Sequence, residues 1–141
     1  MCLARCQVLL SGVRFSVVVP LYNRPEEIRE LLESLTLQTV KDFEVLVVED
    51  GSDQDAREIV ASFSDRLDVH YFWKENERQG FTRNYGFERA KGDWMVVFDS
   101  DCLIPSRYFE HVAEFLDRHP DVDVFGGPDA AHSSFTPIQK A

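Results

Sequence analysis

The chain has 141 residues, 44% hydrophobic and 12% aromatic, which is the composition of one folded domain with a sizeable core rather than of a disordered segment. With 25 acidic against 15 basic residues its formal net charge is −10, which opposes nucleic acid and anionic membrane surfaces as generic partners, so any anion it binds needs a local basic patch or a metal. Three cysteines are too few for a disulfide framework and no apolar run approaches the roughly 20 residues of a membrane helix, so the expected setting is a reducing, cytoplasmic one, with membrane association left to a longer protein.

In chain order, residues 1–13 carry one early Arg and a short apolar patch, Val8 to Leu10, a poor match to a secretory signal. They read as a leader to the first strand, not expected to be ordered. Cys2 and Cys6 stand four apart without a His or a further Cys nearby, and they read as inert rather than metal-binding. "FSVVV" (15–19) is a near-continuous apolar strand stopped by Pro20. "PEEIRELLESLTLQ" follows as a helix, with Pro25 at its start and Ile28, Leu31, Leu32 and Leu35 at i, i+3, i+4, i+7 spacing. "FEVLVV" (43–48) is a second strand and "DQDAREIVASFSD" a second helix, with acids in its first turn and Ile59, Val60 and Phe63 on its apolar side. "DVHYFW" (68–73) is a third strand, and "QGFTRNYGFERAKG" a helix closed by Gly92 as its C′ residue. "DWMVVF" is a fourth strand, "PSRYFEHVAEFLDRHP" a helix from about 106 stopped by Pro120, and "DVDVFGG" a fifth strand.

Strands that are apolar throughout, alternating with helices, imply an α/β domain over 14–127: a Rossmann-like, mostly parallel sheet with helices on both faces. In such sheets ligands bind beyond the carboxyl ends of the strands. The unusual residues gather there: Pro20, Tyr22 and Asn23 after the first strand, Glu49, Asp50, Gly51 and Ser52 after the second, Asp99, Ser100 and Asp101 after the fourth. Asp50-Gly51 is a good turn and Ser52 or Asp53 a good helix cap, but a carboxylate at this edge is also placed to accept a base N–H, and Tyr22 offers a flat face for stacking. Arg78 reads as a solvated charge, whereas Arg83, among Phe81, Tyr85 and Phe87, reads as partly buried and able to bond a diphosphate or the acidic cluster. No glycine-rich phosphate loop occurs. Asp99 and Asp101, one residue apart at a strand exit, supply the alternative, a hard-oxygen site for Mn2+ or Mg2+ with positions left open for diphosphate.

"FSVVVPLYN", "VLVVEDGSDQD" and "RQGFTRNYGFERAKGDWMVVFDSD" together resemble the nucleotide-diphospho-sugar glycosyltransferases of family 2, from about Phe15 to Phe125. The resemblance implies the GT-A fold and an inverting, metal-dependent transfer of a sugar from a nucleotide-diphospho-sugar, expected to be a UDP-sugar, to a hydroxyl of a glycan or lipid-linked sugar acceptor, as in polysaccharide biosynthesis. It implies that Pro20, Tyr22, Asn23 and Glu49 or Asp50 line the nucleoside pocket, Arg83 lies near base and phosphates, Asp99 approaches the ribose, and Asp101, with Asp99, binds the metal. The usual pair at positions 49 and 50 is Asp-Asp, so Glu49 departs from the pattern and Asp50 is the better base contact. The family's catalytic base lies well downstream, so the chain is expected to be the donor-binding part, with residues 128–141 the start of an acceptor region and the base beyond Ala141. Asp129 resembles part of a segment preceding the acceptor half rather than the base itself, and His132 reads as a loop residue. Two other classes are open: a nucleotide-sugar-binding module or pseudoenzyme without transfer activity, and a nucleotidyltransferase, which would show a basic glycine-rich loop where this chain has "PLYNRPEE". An unpaired flank beside the fifth strand is compatible with a homo-oligomer.

Overall fold

A computed structural model of the chain describes the backbone of residues 2–5 and the whole of residues 12–126, so Cys6, Asp129, His132 and the segment 128–141 lie outside the described residues. Along the chain run β1 (Cys2–Arg5), β2 (Phe15–Leu21), α1 (Pro25–Thr36), β3 (Phe43–Asp50), α2 (Arg57–Ala61), β4 (Val69–Lys74), α3 (Gln79–Phe87), β5 (Trp94–Val97), α4 (Tyr108–Arg118) and β6 (Val124–Phe125). The strands form one sheet in the order β4-β3-β2-β5-β1-β6. β4, β3, β2 and β5 are mutually parallel, and β1 runs antiparallel between β5 and β6.

The strand pleat sorts the sequence onto two faces. Phe15, Val17, Val19 and Leu21 of β2, with Phe43, Val45 and Val47 of β3, join Ile28, Leu31, Leu32 and Leu35 of α1, Val60 of α2 and Phe109, Val112 and Leu116 of α4 in one core. Phe109 is central there, its ring 4.5 Å from Phe43 and 5.1 Å from Phe15. Each such fully buried side chain contributes about 1.5–3 kcal/mol of transfer free energy. The alternate residues, Ser16, Val18, Glu44, Leu46, Val48 and Asp50, face the other way, where Gly86 lets α3 approach Val18 closely. Helices thus cover both faces.

This layout fixes where a ligand goes. From β2 the chain moves outward through β3 to β4 with α1 and α2 on one face, then α3 carries it back across the opposite face to β5, on the other side of β2. The loops leaving β2 and β5 therefore diverge, opening the crevice that α/β sheets use for ligands.

Several boundaries differ from those expected. β2 does not stop at Pro20 but runs to Leu21, with Pro20 opposite Val48. Val18 accepts from Phe98 on the β5 side, so two residues on, Pro20 turns its missing N–H to that same side, where β5 has already ended. Residues 2–5, placed in a leader, are a strand, because β5 would otherwise expose a row of unpaired backbone groups. The second helix is only Arg57–Ala61, capped at Ala56 rather than at Ser52 or Asp53. α3 ends at Phe87, so Gly92 is not its C′ residue. Gly92 instead meets the β2 backbone: a Cβ there would lie 2.7 Å from the Phe15 carbonyl carbon, and its N–H donates to Ser16 Oγ at 2.7 Å. α4 begins at Tyr108, two residues later than its sequence pattern.

Candidate functional site at the carboxyl edge

Four loops meet at the carboxyl edge, and hydrogen bonds stitch them together. Asn23, held at φ 51, donates its backbone N–H to Ser52 Oγ at 2.7 Å, and its Oδ1 accepts from the amides of Asp53 (2.9 Å) and Gln54 (3.4 Å). Asn tolerates this left-handed conformation better than most residues. Its side chain therefore joins the β2–α1 loop to the β3–α2 loop. Beside it the Tyr22 ring is 51% exposed, an aromatic face held out at the edge, while Pro20 is buried in β2.

Glu49 and Asp50 end β3 pointing to opposite faces. Glu49 goes into the core side, fully buried, where Ser52 Oγ donates to Oε1, while Oε2 accepts from the Ala56 amide at 3.0 Å and from Tyr71 Oη at 3.4 Å. Burial pushes its carboxyl above the ordinary value despite the bonds from Ser52, Ala56 and Tyr71. Burial and the Glu49 charge likewise raise Tyr71. Asp50 takes the α3 side, where its Oδ1 accepts from Lys74 Nζ at 3.1 Å and from the Glu77 amide at 3.0 Å. Burial acts to raise it, but the bonds from the Glu77 amide, Lys74 and Thr82 win, and it lies below its ordinary value. Lys74 shows the reciprocal effect: burial opposes its charge, yet Glu77 and Asp50 hold it above the ordinary lysine value. Both side chains of the Asp50–Lys74 pair are at most 9% exposed.

Gly51 makes this turn possible. Its φ is +71°, and a Cβ there would lie 2.8 Å from the Asn76 nitrogen, so a larger residue is excluded on both grounds. Asn76 Nδ2 in turn donates to the Asp50 carbonyl at 3.0 Å. The next loop enters α3 through Arg78 at φ 78, ψ 156, an unusual conformation for a non-glycine residue.

On the other side of β2, the β5 exit places Asp99 and Asp101 outward with Ser100 buried between them. Arg83 Nη2 lies 3.2 Å from Asp99 Oδ1, and Arg24 Nη1 3.2 Å from Asp101 Oδ2. The two carboxylates are 62% and 58% exposed, so these pairs are worth about 0–1 kcal/mol each and exchange readily for another cation or ligand. Arg83 reaches the edge from α3 with its Nε buried and without a hydrogen-bond partner among the described residues. Its exposed nitrogens, once released from Asp99, form a planar set of donors suited to phosphate oxygens.

The structure thus brings together Tyr22, Asn23, Glu49, Asp50, Arg83, Asp99 and Asp101 at one edge and leaves Pro20 inside the strand. Three participants have roles that the sequence did not give them. Arg24 is the residue before the helix-starting Pro25, Lys74 opens a charged run at the end of β4, and Ser52, read as a helix cap, binds Glu49 instead.

Asp99 and Asp101 suit a divalent metal. Each is a hard-oxygen donor, exposed, and paired with a weakly bound arginine. They belong to no group of three converging His, Cys or carboxylate ligands among the described residues. An ion here would thus have to complete its shell from diphosphate and water.

The family model for glycosyl transferase family 2 matches residues 16–141. A glycosyltransferase of Rickettsia conorii is 33% identical over 111 residues, which are 79% of this chain and 18% of that protein. The crystal structure of residues 1–349 of Staphylococcus aureus TarS in complex with UDP-GlcNAc superposes with a TM-score of 0.73 at 34% identity, over 77% of this chain and 32% of that one. The mannosyltransferase PcManGT of Pyrobaculum calidifontis, in complex with GDP-Man and Mn2+, gives 0.67 at 25% identity, over 73% of this chain and 32% of that one. The chain therefore spans about a fifth to a third of the length of these relatives. Among the described residues no helix is long and apolar enough to cross a membrane. The chain belongs to glycosyltransferase family 2 and has the GT-A fold.

Proposed function

We propose that the carboxyl edge binds a nucleotide-diphospho-sugar, most simply a UDP-sugar, with a divalent metal, and that the chain is the donor-binding part of an inverting glycosyltransferase acting on a glycan or lipid-linked acceptor in the cytoplasm. The observation that carries the reading is the convergence, at the point where the β2 and β5 loops diverge, of an exposed aromatic face, a guanidinium with an unpaired buried N–H and two exposed carboxylates.

Each residue then has a chemical task. Tyr22 stacks on the base. Lys74 and the Glu77 amide keep Asp50 ionised and therefore acceptor-only, so Asp50 selects a base that offers a ring N–H, as uracil and guanine do. Asn23 and Glu49 hold the loops that carry these groups, with Pro20 beneath them. Arg83 releases Asp99 and turns to the diphosphate, and Asp99 is freed to accept from the ribose hydroxyls. Asp101, with Asp99 beside it, would hold Mn2+ or Mg2+, which when bound offsets the charge of the departing diphosphate in an acidic protein.

In transfer, the acceptor oxygen attacks the anomeric carbon opposite the diphosphate. The bond to the diphosphate oxygen breaks with inversion, and the acceptor proton passes to a carboxylate base. The greater length of the relatives is the reason to place that base beyond residue 141, in an acceptor-binding region that begins near 128. Calorimetric titration of UDP with and without Mn2+, together with turnover of labelled donor on the same sample, tests the reading. Mn2+-dependent binding that is lost in Asp101→Ala supports it, and equal affinity with and without metal refutes it. Tight binding without transfer by the full-length protein would make it a binding module instead.

A further inference from the structure

At the opposite, amino end of the sheet three ligand-bearing side chains meet on one face. The β3–β4 register sets Val45 against Val69 and Leu46 against His70, which places Glu44 across from Asp68 and His70 two residues further on the same side. Glu44 lies six residues before Asp50 on β3, about 20 Å away at some 3.3 Å per residue, so this cluster is separate from the nucleotide edge.

We propose that Glu44, Asp68 and His70 form a second metal site, for a divalent transition-metal ion of the Zn2+ class. Glu44 supplies the main reason. Its side chain is fully buried and locked: Oε1 accepts from Ser16 Oγ at 2.6 Å and from the Lys91 amide at 2.7 Å. Its other oxygen, Oε2, has no hydrogen-bond partner among the described residues. A buried carboxylate oxygen left bare is costly, and its direction is informative, because it lies 3.8 Å from His70 Nε2. That nitrogen is also buried without a hydrogen-bond partner, although Asp68 Oδ1 is only 3.0 Å away, so the ring N–H is aimed at neither carboxylate. A ligand atom from each of the three residues lies within 4.8 Å of the others.

An ion resolves all of this at once. With bonds of about 2.0–2.1 Å, neighbouring ligand atoms around tetrahedral zinc stand roughly 3.3 Å apart. The separations of 3.0 and 3.8 Å fall on either side of that value. One imidazole with two carboxylates favours Zn2+ over Mg2+ or Ca2+, which prefer all-oxygen shells. Ser16 and the Lys91 amide act as the outer shell that orients Glu44. Asp68 and His70, 56% and 38% exposed, give the ion an entry path and leave its fourth position to water. Bound there, the ion would clamp the amino ends of β3 and β4 and raise stability by mass action.

The test is titration of the chelator-treated full chain with Zn2+ alone, followed by calorimetry and melting temperature, with Co2+ as a visible probe of the ligand set. One equivalent of Zn2+ should bind and raise the melting temperature. Asp68→Asn, at an exposed position, and His70→Ala, at a half-buried one, should weaken Zn2+ at least about tenfold, a scale that even outer-shell changes reach. The metal-free melting temperature and Mn2+-dependent UDP binding should be unaffected by these changes. The proposal is overturned by absence of Zn2+ binding, by equal Zn2+ affinity in His70→Ala, or by a Co2+ spectrum that His70→Ala does not alter. A melting temperature that follows protonation of His70 but ignores Zn2+ would assign the cluster to a charge pair and overturn it as well.

Discussion

The two ends of β3 hold their carboxylates in opposite ways. At the carboxyl end Asp50 is buried against Lys74 and the Glu77 amide, while the exposed Asp99 and Asp101 each lean on an arginine. At the amino end Glu44 is more deeply buried than any of these, yet one of its oxygens faces a histidine and a carboxylate without a hydrogen bond. Exposed carboxylates that already carry their own cations, as Asp99 and Asp101 do, can exchange them for a ligand at little net cost. An edge where a buried carboxylate oxygen finds no hydrogen-bond partner among the described residues is organised for an ion that comes from outside. Carboxylates thus serve two chemistries in one sheet, and the difference lies in which neighbours the fold delivers.

Isosteric removal of charge at each end is the strongest way to break this comparison. Asp50→Asn leaves the Lys74 ammonium with only the Glu77 carboxylate, 2.8 Å away, and it should cost about 1.5–3 kcal/mol in chemical denaturation, on the scale of losing a hydrogen bond to a charged group. Glu44→Gln in the metal-free protein keeps an oxygen for Ser16 and the Lys91 amide and removes the bare charge, so it should fall within about 1 kcal/mol of the parent or be more stable. Equal losses in the two variants would end the contrast.

Tyr22→Ala separates binding from stability at the carboxyl edge. The ring is half exposed, so the melting temperature should barely move, while loss of base stacking should weaken UDP by about 1–3 kcal/mol in calorimetry. Unchanged affinity would place the nucleoside elsewhere. Asp101→Ala should cost under about 1 kcal/mol of stability, since its partner Arg24 is exposed, and should abolish only the Mn2+ dependence of UDP binding.

The smallest expected effect is on pH dependence, where the adjacent carboxyls of β3 act in opposite directions. Asp50, depressed below its ordinary value of 3.8, contributes stability that is present above that value and lost as pH falls through its lower folded value. Glu49, raised above 4.5, favours the fold most below that pH, and this contribution is lost as pH rises through its raised folded value. In acid-denaturation profiles Glu49→Gln should therefore flatten the slope above about pH 4.5, while Asp50→Asn should flatten it below about pH 4. A common shift of both limbs in either variant would contradict the separate environments assigned to the two groups.

Much of the architecture was legible because periodicity alone carries it. Ile28, Leu31, Leu32 and Leu35 mark the buried stripe of α1, and the apolar runs of β2 and β3 mark strands covered on both faces. The clusters at the strand exits pointed to one edge because the topology of parallel sheets requires it. What stayed hidden depends on contacts distant in sequence. Lys74 gains its role at the edge from Asp50, 24 positions earlier, and Arg24 from Asp101, 77 positions later. Gly92 follows residues that continue a helical pattern, and only the close passage of the β2 backbone shows its purpose. β1 escaped because four residues are too few to show a period, and α2 was overestimated because polar residues that favour a first turn instead satisfy the loop around Glu49.

The antiparallel insertion of β1 has a consequence for the order in which the fold assembles. Cys2 is partnered with Val97, and Leu3 with Phe125, so the strand nearest the start of the chain can pair only after nearly all the described residues exist. Contacts of such wide sequence separation form late, because loop closure must precede them. Until then one edge of β5 stays open, and a nascent or refolding chain carries a bare strand able to pair with a neighbouring molecule. Pulse-labelled hydrogen exchange during refolding should therefore protect the amides between β2 and β3 before those between β1 and β5, and the yield of refolded chain should fall with concentration over that interval. Simultaneous protection of both strand pairs would show that the sheet closes in one step.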